Sequence, residues 1–245
     1  MDGTVTTTPS PRVAFVTGAS SGIGRAITER LAADGMTVVA AARRRDRLDE
    51  LAARLPSVEA QVLDVTHHDD VRRTVDAAVA RHGRLDVFVA NAGVMPLSRL
   101  DAGLVDEWNT MIDVNIRGLL HGISASLPHF TRQDHGHLIT MASVGAHAVT
   151  PTAAVYCGTK YAARAITEGL RLEAPPTIRV TTISPGVVES ELADSITDPH
   201  AKQFMVSYRR HALDPDAVAA AVAFAIGQPT DVDVNEIVVR PVHTR

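Results

Sequence analysis

Residues 12–24, Arg12-Val-Ala-Phe-Val-Thr17-Gly18-Ala19-Ser20-Ser21-Gly22-Ile23-Gly24, form a short apolar run that ends in a glycine-rich turn. Residues 25–34 follow with helical spacing at Ile27 and Leu31. The run predicts a buried parallel strand, because a strand covered on both faces reads as continuous hydrophobics and not as an alternation. Strand, glycine turn and helix in succession give the context a phosphate-cradling loop requires. Gly18 permits the tight turn. Gly22 and Gly24 let the backbone approach a pyrophosphate at the helix N-terminus, where free N–H groups and the helix dipole favour an anion. Ser20 and Ser21 can add hydroxyl hydrogen bonds, and Ile23 lies inside the same cradle. The spacing is Gly-x-x-x-Gly-x-Gly, which departs from the Gly-x-Gly-x-x-Gly fingerprint; an ordinary glycine turn is the alternative.

Outward from this turn, strand and helix alternate. Apolar runs at 36–42, 58–63, 85–90, 136–141, 178–183 and 235–239 read as strands. Helical spacing fills 44–55, 67–82, 101–130 and 152–172, with Pro151 as the start of the last, and a further helix opens at Asp214-Pro215. Residues 190–213, with Pro199 among them, show no clear period and predict an irregular substrate loop. Such alternation implies a single α/β domain over residues 12–245, a doubly wound parallel sheet with helices on both faces and a cleft at the C-terminal strand ends.

Several chemistry-bearing residues fall at those ends. The second strand ends in Ala42-Arg43-Arg44-Arg45, with no acid until Asp46. In a dinucleotide fold this tip faces the adenine ribose, where an acid would select NAD; guanidinium instead suits a 2′-phosphate. Arg43 lies nearest the strand end and ranks first, Arg44 second. Asp64, followed by Val65, either accepts from an adenine amino group or caps a turn. Asn91-Ala92-Gly93 suits close approach to a ligand, or is a tight connection. Asn115 interrupts a helical stretch, where Asn costs stability; it holds a water at a helix distortion or sits on a solvated face. Ser143 tips the fifth strand, thirteen residues before Tyr156, and Pro185-Gly186 follows the sixth.

Tyr156 and Lys160 are four apart, on one face of a helix. A phenol with pKa about 10 transfers protons poorly at neutral pH, and a fixed ammonium nearby pulls that value down. At about 4 Å and an effective dielectric of about 20 the attraction is roughly 4 kcal/mol, enough for about three pKa units.

The bulk numbers bound the alternatives. The chain has 245 residues, 45% of hydrophobic type, enough for one large core. A net charge of -4 gives no basic footprint for nucleic acid. Cys157 is the only cysteine, which excludes a disulfide framework and a cysteine-based zinc site and fits a reducing cytoplasm. The eleven histidines form no spacing that matches a metal site, so no metal is expected. Residues 1–11, rich in Thr and Pro, read as a disordered leader, and no apolar run approaches the roughly 20 residues of a membrane helix.

With these motifs in this order, from Thr17-Gly18-Ala19-Ser20-Ser21-Gly22-Ile23-Gly24 through Asp64-Val65, Asn91-Ala92-Gly93, Asn115, Ser143 and Tyr156-x-x-x-Lys160 to Ser184-Pro185-Gly186, the chain resembles the short-chain dehydrogenase/reductase family over residues 12–241. The resemblance implies a Rossmann sheet of seven parallel strands, usually a homotetramer, and metal-free hydride transfer between nicotinamide and a carbonyl carbon of a small molecule. Ala42-Arg43 is similar to the NADP-preferring branch. The ending Val234-Asn-Glu-Ile-Val-Val-Arg240-Pro241 resembles reductases of small hydroxy acids and antibiotic aldehydes, the clavulanic acid dehydrogenase subgroup. Carried over residue by residue, the family assigns Tyr156 to proton transfer and Ser143 to the carbonyl oxygen. Lys160 goes to the tyrosine and the nicotinamide ribose, Asn115 to a relay water, and Pro185, Gly186 and Val188 to the carboxamide. A non-catalytic NADP sensor would not need Ser143, Tyr156 and Lys160. A sugar-nucleotide epimerase or dehydratase would need a longer substrate region. Val94, Met95, Pro96, Val144, Val149, Val188 and the segment 190–213 are the expected substrate wall, with His147 at its mouth. Lys202, Arg209 and Arg210 are candidates for a substrate carboxylate or a solvated face. Cys157 reads as packing.

Overall fold

The opening apolar run becomes β1 (Val13–Thr17), buried along its whole length. It pairs in parallel with β2 (Thr37–Ala42) on one side and β4 (Val87–Ala90) on the other. In the computed structural model, which describes residues 11–243, β3 (Val58–Val62), β5 (Gly136–Met141), β6 (Ile178–Pro185) and β7 (Glu236–Val239) complete the sheet. The order is β3-β2-β1-β4-β5-β6-β7 and every pairing is parallel. Residues 1–10 of the leader expected over 1–11, and residues 244–245, lie outside the described residues.

Parallel strands need crossovers, and helices supply them. They are α1 (Gly22–Ala33), α2 (Arg45–Arg54), α3 (His68–His82), α4 (Val105–Ile112), α5 (Gly118–Gln133), α6 (Ala154–Glu173), α7 (Pro199–Tyr208) and α8 (Pro215–Ile226). Successive strand side chains point to opposite faces, so two apolar layers form. Ala14, Val16, Val38 and Val89 pack with Ile27 and Leu31 of α1 and Val218 and Val222 of α8. On the other face Val13, Phe15, Val39 and Phe88 meet Val71 and Val75 of α3 and Phe130 of α5. The rings of Phe15 and Phe88 stack at 5.3 Å. This is the expected doubly wound Rossmann fold. The chain runs outward from β1 to β3 and returns to β4, so the switch point, where such folds open a cleft, lies between β1 and β4. Among the described residues no helix is long and apolar enough to cross a membrane.

Three stretches differ from expectation. Residues 101–130 are not one helix: α4 and α5 are joined by a π-helical turn, Asp113–Arg117, in which the Gly118 N–H reaches Asp113 five residues back. Asn115 sits in that turn, so of its two readings the helix distortion is the one found. The α6 helix begins at Ala154 and not at Pro151. Thr152 takes a left-handed φ of 68°, which a β-branched residue rarely adopts, and gives its carbonyl to Ser98 N–H at 3.0 Å. Residues 190–213 are not irregular. Asp198 caps α7 by accepting from Ala201 N–H at 2.7 Å, with Pro199 in the first turn, the same Asp-Pro start that opens α8.

One buried residue of β5 ties the fold to pH. His137 is 2% exposed, bonded through Nε2 to the Thr181 hydroxyl at 2.8 Å, and its Nδ1 has no partner among the described residues. Burial, aided by the Arg179 guanidinium, pushes its pKa from 6.5 down to about 3. Between those values the unfolded chain holds a proton that the folded chain lacks. Stability is therefore unaffected above pH 6.5 and falls as pH drops toward 3. At about 1.4 kcal/mol per unit, about 3 kcal/mol is lost by about pH 4.5. In His137→Val the difference in urea-unfolding free energy between about pH 7 and about pH 4.5 is expected to shrink by about 3 kcal/mol. The lost Thr181 contact shifts both conditions alike, so an unchanged difference would refute the assignment.

Candidate active site

The glycine turn is shaped by its own packing. Gly18 has φ 67°, and a Cβ there would lie 2.9 Å from Ala92 Cα; one on Gly24 would lie 2.2 Å from the Gly18 carbonyl oxygen. The end of β4 braces this turn from the side. Thr17 Oγ1 accepts from Asn91 N–H at 3.0 Å and Ala92 N–H at 3.1 Å, and Asn91 Nδ2 donates to the Thr17 carbonyl at 2.9 Å. The Asn91 amide thus holds the glycine turn, as a tight connection would, while Asn91, Ala92 and Gly93 also line the cavity at the strand ends.

Every catalytic and coenzyme candidate, Asn115 excepted, lines one cavity of about 900 Å³ along the C-terminal strand ends. At its dinucleotide end, Arg44 reaches across the turn, donating to Ser20 Oγ at 3.0 Å and Ser21 Oγ at 2.7 Å. Arg43 is exposed beside it and forms no ion pair among the described residues. Asp64 accepts from Thr66 N–H at 2.9 Å and the Thr66 hydroxyl at 2.8 Å through Oδ1, so it caps a turn while its carboxylate still lines the cavity. Pro185, Gly186 and Val188 border the cavity from the end of β6, and Gly186 N–H is held by the Val239 carbonyl at 2.7 Å.

At the other end, Ser143, Tyr156 and Cys157 converge next to Gly145. A Cβ on that glycine would meet Cys157 Sγ at 3.3 Å, Ser143 Oγ at 3.4 Å and the Tyr156 ring at 3.5 Å. Burial pushes the Tyr156 phenol up to about 12, against the hydrogen bond from Ser143, which lowers it. Burial likewise pushes Lys160 down to about 8. Its Nζ donates to the Met141 carbonyl at 2.8 Å and stands 5.9 Å from the centre of the Tyr156 ring. The expected depression of the phenol by a lysine at about 4 Å is therefore corrected: the ammonium is spent on a carbonyl, and desolvation dominates both groups.

Asn115 lies behind this end. Its Oδ1 accepts from Val94 N–H at 2.9 Å, and its Nδ2 donates to the Val94 carbonyl and to Thr159 Oγ1, each at 3.0 Å. The side chain thus clamps the loop after β4 to the turn of α6 beside Lys160. With Thr17, Thr140, Met141 and Lys160 it lines a second cavity of about 10 Å³, near the size that holds one water.

The substrate wall differs in part from expectation. Val94, Met95, Val144 and Val188 line the cavity; Pro96 does not, and Val149 is 62% exposed. Phe204, Met205 and Tyr208 lie within the 190–213 segment expected on the wall, carried by the unexpected α7, whereas Leu97 was not foreseen. Lys202 and Arg210 stay off the wall, whereas Arg209 is on it. His147 turns away, to Glu236 Oε1 at 2.8 Å and Ser184 Oγ at 3.3 Å. Cys157 is 2% exposed and packs, as read. Glu191 lines the cavity and pairs with Arg44, a contact with no signal in the sequence.

Comparison with known proteins agrees with this geometry. The sequence pattern described as short chain dehydrogenase matches residues 12–201. An uncharacterized oxidoreductase of Staphylococcus saprophyticus is 47% identical over 235 residues, covering 94% of this chain and 96% of the relative. An alcohol dehydrogenase from the archaeon Thermococcus sibiricus, solved with 5-hydroxy-NADP, superposes with a TM-score of 0.86 at 33% identity, covering 96% of this chain and 98% of that one. A 3-ketoacyl-(acyl-carrier-protein) reductase from Brucella melitensis, solved with NADH, reaches a TM-score of 0.83 at 26% identity over 95% of this chain and 97% of that one.

Proposed function

The chain belongs to the short-chain dehydrogenase family of oxidoreductases, and from that premise we propose that it is a ketone or aldehyde reductase that works with NADP(H) on a small carbonyl compound. The observation that carries the proposal is the sharing of one cavity by an anion cradle, an arginine pair, and Ser143 with Tyr156 and Lys160.

The residues present fit a nicotinamide dinucleotide. The N-terminus of α1 and the glycine turn suit the pyrophosphate, and Arg43 and Arg44 suit a 2′-phosphate, with no acid at the tip of β2 to claim a 2′-hydroxyl. Backbone groups of Pro185, Gly186 and Val188 suit the carboxamide. The bound coenzyme supplies the hydride. The chain supplies the proton. A phenol with a pKa near 12 is fully protonated at neutral pH, so Tyr156 holds a proton ready for a carbonyl oxygen. Ser143, whose hydroxyl lies beside the phenol and lowers its pKa, can donate to the same oxygen and steady its developing charge. Lys160, held by the Met141 carbonyl and still mainly charged at neutral pH with a pKa of about 8, suits the hydroxyls of the nicotinamide ribose. The small cavity shared by Asn115 and Lys160 offers a place for the water that would return a proton.

The substrate end is walled by Met95, Leu97, Val144, Phe204, Met205 and Tyr208, which favours a carbonyl compound with apolar bulk. Exposed Ile112, Leu120, Tyr161 and Leu172 on α4 to α6 give the chain apolar surface to cover, and we extend the proposal to a homotetramer. The buried free thiol of Cys157 suits the cytoplasm. A panel of ketones and aldehydes with NADPH or NADH, followed at the nicotinamide absorbance, tests the reading. Net NADPH consumption with at least one carbonyl is expected. Binding without consumption would point to a sensor, and substrate conversion without net consumption to an epimerase.

A further inference from the structure

The segment that borders the substrate end is fastened to the dinucleotide end through one carboxylate. Glu191 opens a short 3-10 turn, Glu191–Ser195, and receives Arg44 Nη1 at 2.6 Å and the guanidinium of Arg47. Arg44 and Arg47, three residues apart at the start of α2, present their charges on one side. The remaining nitrogens of Arg44 are taken by Ser20 and Ser21, so its guanidinium is engaged on every side. The backbone at Glu191 is pinned as well: Arg209 Nη2 donates to the Ser190 carbonyl at 2.5 Å, and a Cβ on Gly22 would lie 3.1 Å from Ser190 Cβ. The two arginines hold the Glu191 carboxyl down to about 2, so it is an anion throughout the working range.

We propose that Glu191 sets coenzyme specificity by competing with a 2′-phosphate for Arg44 and Arg47. The inference rests on the reading that this arginine cluster faces the adenosine 2′ position. Two anions and one guanidinium pair leave two arrangements. Either the phosphate displaces the carboxylate and breaks its ion pairs, or it binds beside an uncancelled like charge. Both weaken a 2′-phosphorylated dinucleotide, and neither touches one with a 2′-hydroxyl. Because the pair is partly exposed, the effect is of moderate size, about tenfold.

Dissociation constants of NADPH and NADH, read from nicotinamide fluorescence on the full chain, test this with the parent, E191Q, R44Q and the double variant. Displacement by 2′,5′-ADP or 5′-AMP extends the test to probes without nicotinamide. In E191Q, NADPH and 2′,5′-ADP are expected to bind about tenfold tighter, NADH and 5′-AMP within about twofold of the parent, and the gain is expected to shrink in the double variant. Equal tightening of both coenzymes would overturn the inference, since Glu191 would then merely obstruct the cleft. Unchanged or weaker NADPH binding in E191Q would overturn it too. If R44Q itself leaves NADPH binding unchanged, it is the placement of the phosphate that fails; if R44Q weakens NADPH and E191Q does not tighten it, only the role of Glu191 fails. Loss of the reductase reading would leave these constants standing.

Discussion

Replacing Tyr156 by phenylalanine is expected to cut turnover by about a thousandfold while NADPH binds within about twofold of the parent. The phenylalanine keeps the ring that packs with Met95, Met111, Ala153 and Met205 and deletes only the hydroxyl. What disappears is the proton donor, and general acid catalysis is worth about 10²–10⁴ in rate. Lys160 keeps its bond to the Met141 carbonyl and the glycine turn is remote, so the sites proposed for the coenzyme are undisturbed. The loss should therefore appear in kcat, with KM for NADPH nearly constant, as for an interaction made only in the transition state. Ser143 remains and can still donate to the carbonyl oxygen, so the residual rate stays above that in water. Steady-state kinetics together with a thermal unfolding curve decide the matter: a folded Tyr156→Phe protein with near-parental turnover would exclude the tyrosine as the acid.

The role written for Lys160 from spacing alone was a charge that depresses the phenol. Helical spacing places two residues on one face, but it says nothing of what else each one meets. The Met141 carbonyl is brought to Lys160 by β5, nineteen residues away in sequence, and burial of both side chains raises one pKa and lowers the other. Local signals were enough for the sheet, the glycine turn and the cavity-lining candidates, because most strand ends announce themselves by a glycine, a short polar residue or a proline, and β2 by a run of arginines. Asn115 was legible for a similar reason: a poor helix former in mid-helix marked the π-helical turn that was found. Long-range pairing was not legible. Glu191 stands 147 residues from Arg44, and no local pattern joins them. The missed α7 helix is a different case. Asp198-Pro199 carried the same start signal as Asp214-Pro215, but the mixed polarity after it has a weak helical stripe, with only Ala201 and Met205 buried. The 190–213 segment was expected on the substrate wall, but without the helix nothing singled out Phe204, Met205 and Tyr208 as the side chains that face the cavity.

Exchanging Arg43 and Arg44 together for glutamine is expected to lower kcat/KM for NADPH by about 10²–10⁴-fold and to leave the value for NADH within a few-fold of the parent. A charge-assisted hydrogen bond contributes about 1.5–3 kcal/mol, and each 1.4 kcal/mol is a factor of ten. Two such contacts to a 2′-phosphate account for the range, while a 2′-hydroxyl makes neither. The single variants should separate. Arg43 is exposed and forms no salt bridge among the described residues, although its charge helps hold the Asp64 carboxyl down, so Arg43→Gln should act mainly on NADPH, by about tenfold or more. Arg44 also ties Ser20 and Ser21 of the glycine turn to the start of α2. Its loss loosens the pyrophosphate cradle, and Arg44→Gln should cost NADH a few-fold besides its larger effect on NADPH. Gln keeps a donor and most of the side-chain length, which limits the change to charge and fork geometry. The ratio of the two kcat/KM values is the readout, since a general weakening of the fold moves both alike and leaves their ratio where it was. A double variant whose ratio stays at the parental value would place the 2′ position away from these arginines and would remove the argument for NADP(H) over NAD(H).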